Sequence, residues 1–309
     1  MNKFEVEILK SIRSISTPTL DTLMQIITFL GEEYVVILIL AIIYLLIDKK
    51  LGQRITYTMF SSLLINGFIK GFVQRVRPFH FDDSYEAVRI ETATGYSFPS
   101  GHTQNTTTIF TAVATTIKKR WAIIGALIIS LLVAYSRIHL GVHYPTDVIC
   151  GLALGLLIAF FGTKLHQKFE GDFIKQLKLY IVTLLVFTPC LLIFCLFANK
   201  NNDGNFYEAI YPYRNYYISY ALFAGFTLGS FLENKFVNFD CNVSVKVKVL
   251  RMVFGAIVVA AVMFGLKALL PKHILCDMFR YFMITFGALG LYPLLAKKWL
   301  FPTSNKKDA

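Results

Sequence analysis

YSRIHLGVHYPTDVIC, residues 135–150, places an arginine, two histidines and an aspartate between two strongly apolar runs, at 121–135 and 146–162. Ionisable groups this dense are costly in hydrocarbon and belong at a membrane edge. Pro145 suits the first position of a new helix, because its missing N–H has no helical partner there in any case. Asp147, four residues after His143, then falls in that helix's first turn. A carboxylate so placed can reach one imidazole nitrogen and fix which nitrogen is left to react. His-Asp pairs of this kind make histidine a base or a nucleophile. The ordinary alternative is a loop with a surface histidine beside an N-terminal helix acid. His139 has no evident task and is read as a loop residue.

The rest of the chain supports the membrane reading. Of 309 residues, 55% are hydrophobic and only 16% charged, with a mean hydropathy of +0.57. Soluble domains carry roughly a quarter charged residues. Further apolar runs at 33–47, 54–72, 103–117, 178–198, 216–232, 249–270 and 277–296 raise the expected count to about nine spans, with a shorter apolar patch at 23–30. The expected fold is therefore an all-α, polytopic membrane helical bundle. Residues 1–30 read as an N-terminal amphipathic, interfacial segment, with an apolar period at Phe4, Ile8, Leu9 and Ile12. Residues 31–170 read as a catalytic membrane core, 171–300 as additional transmembrane helices and 301–309 as a cytoplasmic tail. No cleavable signal peptide is expected, because the first twenty residues lack a continuous apolar stretch.

The net charge of +12 comes from basic residues that punctuate apolar runs, so nucleic acid is not an expected partner. Clusters at 48–54, 118–120, 163–168, 233–251 and 296–299 all fall on one side, which the positive-inside rule makes cytoplasmic. The loops 73–102, 135–145, 199–214 and 271–273 then face outward, as does the N-terminus, against its own Lys3, Lys10 and Arg13. The five cysteines form no CxxC pair and read as small apolar residues.

Two other stretches share the outer face. In KGFVQRVRPF, Lys70 precedes Arg77 by seven positions, and Pro78 is expected to end the helix. Fixed cations there suit an oxyanion with several charged oxygens, or else Lys70, Arg75 and Arg77 snorkel to lipid headgroups. In YSFPSGHTQNTTTIF, Ser100 reads as an N-cap and Gly101 as an open first turn, a ready anion site with His102 beside it. A capped helix with an interfacial histidine is the plain alternative. Jointly, the three stretches supply a lysine, two arginines, a helix N-terminus and two histidines. Phosphate-ester chemistry needs that set: cations for the oxygens, a nucleophile, and an acid for the leaving group. No carboxylate cluster or His/Cys ligand set suggests a metal or other cofactor.

Lys70…Arg77-Pro78, Pro99-Ser100-Gly101-His102 and Ser136-Arg137…His143…Asp147 together resemble the three-part signature of the type 2 phosphatidic acid phosphatase superfamily. The resemblance covers residues 50–165. It implies a haloperoxidase-like helical core and metal-independent hydrolysis of a phosphoric monoester or pyrophosphate through a phosphohistidine. It makes His143 the nucleophile, Asp147 its orienting partner, and His102 the acid that protonates the leaving group and then activates water. Lys70, Arg77, Ser100, Gly101 and Arg137 would bind the phosphoryl oxygens. His80 falls at the rim, and Asp82, Asp83 and Glu86 in a solvated loop.

The expected function is hydrolysis of a lipid phosphate or polyprenyl (pyro)phosphate at the external leaflet. The alternatives are transfer to a lipid or sugar acceptor, or hydrolysis of a soluble sugar phosphate. Expected partners are the lipid phosphate substrate and membrane lipids, with no obligate protein partner. The Asn-, Ile- and Lys-rich texture suggests a bacterial plasma membrane with an external site. The alternative, an endoplasmic reticulum membrane with a lumenal site, rests on a C-terminal KKDA taken as incidental.

Overall fold

A computed structural model describes residues 3–81, 86–200 and 204–302, most of them helical. The chain divides into two compact units, one of residues 1–38 with 61–165, the other of 39–60 with 166–309.

The first unit holds α1 (Lys3–Ser14), α2 (Pro18–Phe29), part of α3 (Glu33–Ile42), the second half of α4 (Lys49–Val73), α5 (Gly101–Ile117), α6 (Arg120–His139) and nearly all of α7 (Pro145–Gln167). Local chemistry sets these boundaries. Thr17 caps α2 through its side chain, which accepts from the Leu20 amide, and Pro18 follows it. Ser100 sits in extended backbone at the N-cap of α5, and Lys118 closes that helix in the left-handed region at φ 57°. α4 ends at Val73, where Gln74 turns left-handed at φ 51°. Pro78, expected to end that helix, instead opens a short 3-10 turn. Arg75 and Arg77 therefore reach the site from extended chain.

Polar faces hold this unit together. Ser62, Asn66 and Lys70 recur every four residues and so share one side of α4. Ser62 meets Thr108 of α5 at 3.0 Å, and the Asn66 amide donates to the Gln104 carbonyl oxygen at 2.9 Å. α7 approaches α5 through Gly151 and Gly155; a Cβ on Gly155 would lie 2.6 Å from the Thr107 Cβ. Small residues four apart are the membrane device for such close crossings.

Of the expected apolar period of α1, Leu9 is buried, Ile8 and Ile12 are half-buried and Phe4 is exposed. Glu5, Val6 and Leu9 are its buried residues, while Phe4 is 68% exposed. Val6 and Leu9 pack on Tyr144, so a carboxylate is carried inward with them.

The second unit holds α8 (Phe173–Lys200), α9 (Phe206–Ile210), α10 (Arg214–Leu232), α11 (Val245–Ala260), α12 (Leu266–Leu269), α13 (Ile274–Phe286) and α14 (Tyr292–Leu295). α10 and α13 cross closely at Gly225, where a Cβ would collide with Thr285 and the Phe282 carbonyl. The buried Arg251 guanidinium lies over the Phe239 and Phe301 rings and donates to the carbonyls of Leu45, Asp240 and Leu300. His166, at the end of α7, bonds the Tyr180 hydroxyl at 2.7 Å among Tyr57, Phe223 and Phe226.

Among the described residues, five helices are long and apolar enough to cross a membrane: Arg120–His139, Pro145–Gln167, Phe173–Lys200, Val245–Leu269 and Ile274–Leu295. The bent pair Pro18–Phe29 and Glu33–Ile47 raises this to six at most. The expected count of about nine is not confirmed. The expected spans in α4, α5 and α10 fall short because each buries polar side chains: Thr58, Ser62 and Asn66 on α4, Gln104 and Thr107 on α5, and Ser230 and Thr227 on α10. α5 is also only 17 residues long.

Candidate active site

All the site residues expected from the sequence lie in the first unit. The segment after α4 carries two arginines, with different surroundings. Arg77 is buried and donates through Nε to the Gly95 carbonyl at 2.9 Å and through Nη2 to the Thr94 carbonyl at 2.7 Å. Its Nη1 faces the Val142 carbonyl and His143 Nε2, each at 3.1 Å. Burial pulls the Arg77 pKa down to about 10, which leaves it charged at neutral pH. Lys70 is also buried, its ammonium donating to the carbonyls of Tyr96 at 2.5 Å and Ser97 at 3.3 Å.

These contacts fix the His143 tautomer. A guanidinium only donates, so Nε2 facing Arg77 must carry a lone pair. On the other side of the ring, Nδ1 lies 3.3 Å from the Asp147 Oδ2 and 3.3 Å from the Ser97 Oγ. Ser97 itself donates to the same carboxylate oxygen, as does the Tyr144 amide at 2.9 Å. Nδ1–H thus points to Asp147, and Nε2 keeps its lone pair on the side of Arg77. Burial disfavours the protonated ring, and the charges of Arg77, Lys70 and Arg137 act in the same direction. The His143 pKa therefore lies well below the ordinary value of 6.5.

Arg137 and His102 are the residues with unused capacity. Arg137 is fully buried and donates from Nη1 to the Thr28 hydroxyl at 2.9 Å. Its Nε and Nη2, and the Nε2 of His102, are buried with no hydrogen-bond partner among the described residues. His102 lies within electrostatic reach of Arg137, His143 and Arg77. Buried polar groups are nearly always satisfied, so three orphaned nitrogens beside two further cations can take up an anion. The start of α5 borders it. The Ser100 amide donates to the Asp147 carbonyl at 3.0 Å, and the Ser100 hydroxyl accepts from Thr103 at 3.0 Å rather than capping its own helix. Gly101 leaves the first turn open, its nearest neighbour for an added Cβ being the Asn66 oxygen at 3.5 Å.

His139 is not a loop residue. It ends α6, fully buried, with Nε2 2.9 Å from the Asp21 carboxylate and 3.1 Å from the Ser16 hydroxyl. Arg13 completes that cluster by pairing with Asp21 at 2.6 Å. The histidine thus ties the first two helices to α6. His80 is exposed beside Phe79, and Glu86 is exposed with its carbonyl taken by Arg13 at 3.0 Å. Asp82 and Asp83 lie outside the described residues.

Sequence reading missed Ser97, Glu5 and Thr28, and left Arg75 without a partner. Arg75 donates to the Asp147 Oδ1 at 2.8 Å and to the Thr146 hydroxyl at 2.7 Å. Only the four-residue spacing of His143 and Asp147 carried a signal of such a network.

Comparison with known families accounts for most of the chain. Residues 52–170 match the PAP2 superfamily, and residues 217–301 match the transmembrane extension of PAP2 superfamily phosphatases. An undecaprenyl-diphosphatase of Sulfolobus acidocaldarius is 32% identical over 56% of this chain and 84% of its own length. A phosphatidylglycerophosphatase B of Bacillus subtilis is 30% identical over 50% and 80%, and a lipid A 4'-phosphatase of Porphyromonas gingivalis is 28% identical over 50% and 70%. With its spans, its buried cation cluster and these matches, the chain is an integral membrane protein that belongs to the PAP2 superfamily.

Proposed function

We propose that this protein is a metal-independent phosphatase that hydrolyses a lipid phosphate or polyprenyl (pyro)phosphate through a phosphohistidine. One observation carries the reading. His143 Nε2 presents its lone pair toward the Arg77 guanidinium, with Arg137 and His102, whose buried nitrogens are unsatisfied, within electrostatic reach of the ring. The relatives named above act on different lipids, and a phosphate on a membrane-embedded lipid is what those substrates share.

In the proposed reaction the phosphoryl group sits against Arg77, Arg137, Lys70 and the first turn of α5, taking up the unused donors. The Nε2 of His143 attacks phosphorus and the ester P–O bond breaks. Protonated His102 gives its proton to the departing oxygen. Asp147 stabilises the positive charge that the ring gains, through Nδ1–H. His102, now neutral, takes a proton from water; the resulting hydroxide attacks phosphorus, and the P–N bond breaks to release phosphate. Fixed cations supply the charge stabilisation that a metal provides elsewhere. Both Asp147 oxygens are engaged by Arg75, Ser97 and the Tyr144 amide, so its hydrogen bonds serve the histidine. The basic clusters at the opposite helix ends support a site on the external face of a bacterial plasma membrane.

Detergent-solubilised protein is expected to release phosphate from such lipids in EDTA, and His143→Ala to lose this release. Full activity in that variant, or loss of wild-type activity in EDTA, overturns the proposal.

A further inference from the structure

The site includes a carboxylate from the N-terminal helix, well before the segment that matches the PAP2 superfamily at residues 52–170. Glu5 is 5% exposed, and its two oxygens have separate tasks. Oε2 pairs with the Arg75 Nη2 at 2.6 Å. Oε1 accepts from the amide of Thr146 at 3.0 Å and from its hydroxyl at 2.7 Å. Thr146 lies in the first turn of α7, where amides lack intrahelical partners, so Glu5 serves as that helix's cap from a remote part of the chain. Arg75 in turn stacks over the Tyr144 ring at 3.9 Å and reaches the Asp147 Oδ1 at 2.8 Å. A chain of direct contacts thus runs from Glu5 through Arg75 to Asp147 and on to His143.

Burial opposes the charged form of Glu5, but hydrogen bonds from Thr146 and Arg75 outweigh it and hold the carboxyl below its ordinary range. Its charge divides Arg75 between two carboxylates. Without it, the whole guanidinium charge would act on Asp147 and oppose the positive charge that His143 gains during attack.

We infer that Glu5 is a positioning residue for the phosphatase reaction, setting through Arg75 the geometry and charge that Asp147 offers to His143. The inference rests on the reading of His143 as nucleophile. The charged or titratable groups facing that histidine are Asp147 from α7, Arg77 from the chain after α4, Lys70 from α4, His102 from α5 and Arg137 from α6, with Arg75 acting through Asp147.

The test compares Glu5→Gln, Glu5→Asp and the exposed-surface control Glu7→Gln with wild type in full-length, detergent-solubilised protein. Glu5→Gln is expected to lower kcat at least tenfold with KM within about twofold. It should also move the acid limb of kcat/KM to lower pH, because the site becomes more positive. Glu5→Asp should restore part of kcat, and Glu7→Gln should match wild type. A wild-type kcat in Glu5→Gln overturns the inference. So does a reduced kcat with an unmoved acid limb and a lowered melting temperature, which marks a packing role alone. His143→Ala, assayed alongside, separates the two claims: activity there refutes the nucleophile assignment whatever Glu5→Gln shows.

Discussion

Arg137→Lys tests whether the unsatisfied guanidinium is the phosphate anchor. The arginine uses Nη1 for Thr28 at 2.9 Å and keeps Nε and Nη2 buried without partners. Its planar fork can thus hold the protein with one nitrogen and two phosphoryl oxygens with the others. Lysine keeps the charge but offers one compact ammonium, which cannot span both tasks. The loss is about one charge-assisted contact, roughly 1.5–3 kcal/mol. At 1.36 kcal/mol per decade, kcat/KM should fall by about 10- to 150-fold. The assay is phosphate release from a short-chain lipid phosphate in detergent and EDTA, with thermal melting as the folding control. A variant that melts like wild type and retains kcat/KM within threefold refutes the assignment of Arg137 as a two-donor anchor.

Other outcomes follow from the same geometry. Because burial and three cations hold the His143 pKa well below 6.5, the neutral ring persists where free histidine is protonated. The acid limb of kcat/KM, corrected for the substrate phosphate's own ionisation near pH ~6, should fall below pH 6.5; a midpoint at or above 6.5 contradicts this. Ser97→Ala removes a donor to Asp147 and should lower kcat by about tenfold, from roughly 1–1.5 kcal/mol, with KM little changed; an unchanged kcat shows the hydroxyl to be idle. Gly155→Ala forces a methyl to within 2.6 Å of Thr107 and 2.9 Å of the Gln104 carbonyl, a cost of about 1–3 kcal/mol. It should lower the melting temperature, whereas Gly125→Ala, with nothing within 4 Å, should not; equal effects would mean that α5 and α7 do not touch there.

What was legible in the sequence was chemistry with a short period. His143 and Asp147 are four residues apart, near enough along the chain for the bend before α7 to bring them into contact. The proline and serine at helix starts marked α5 and α7 correctly. Contacts across long separations left no local trace: Glu5 meets Thr146, and Thr28 meets Arg137, with nothing in either neighbourhood to pair them. The apolar period of α1 gave no sign that Glu5 would be buried beside Val6 and Leu9. Gln74 ended α4 where Pro78 had been the visible breaker, because a left-handed residue gives no composition signal. The count of about nine spans is left unconfirmed for a related reason. A helix that buries threonine, serine and asparagine inside a bundle scores as polar, although its polar groups face protein.

The central claim is that His143 carries the phosphoryl group during turnover. Acid-sparing rapid quench of the enzyme with a lipid substrate labelled in its phosphate tests it most directly, followed by peptide mapping of the label. A base-stable, acid-labile phosphoryl group is expected on His143, forming and decaying at rates consistent with kcat. Label on another residue rules out His143 as the nucleophile. So does inversion at a chiral phosphorus, since a covalent intermediate formed by two in-line displacements gives net retention.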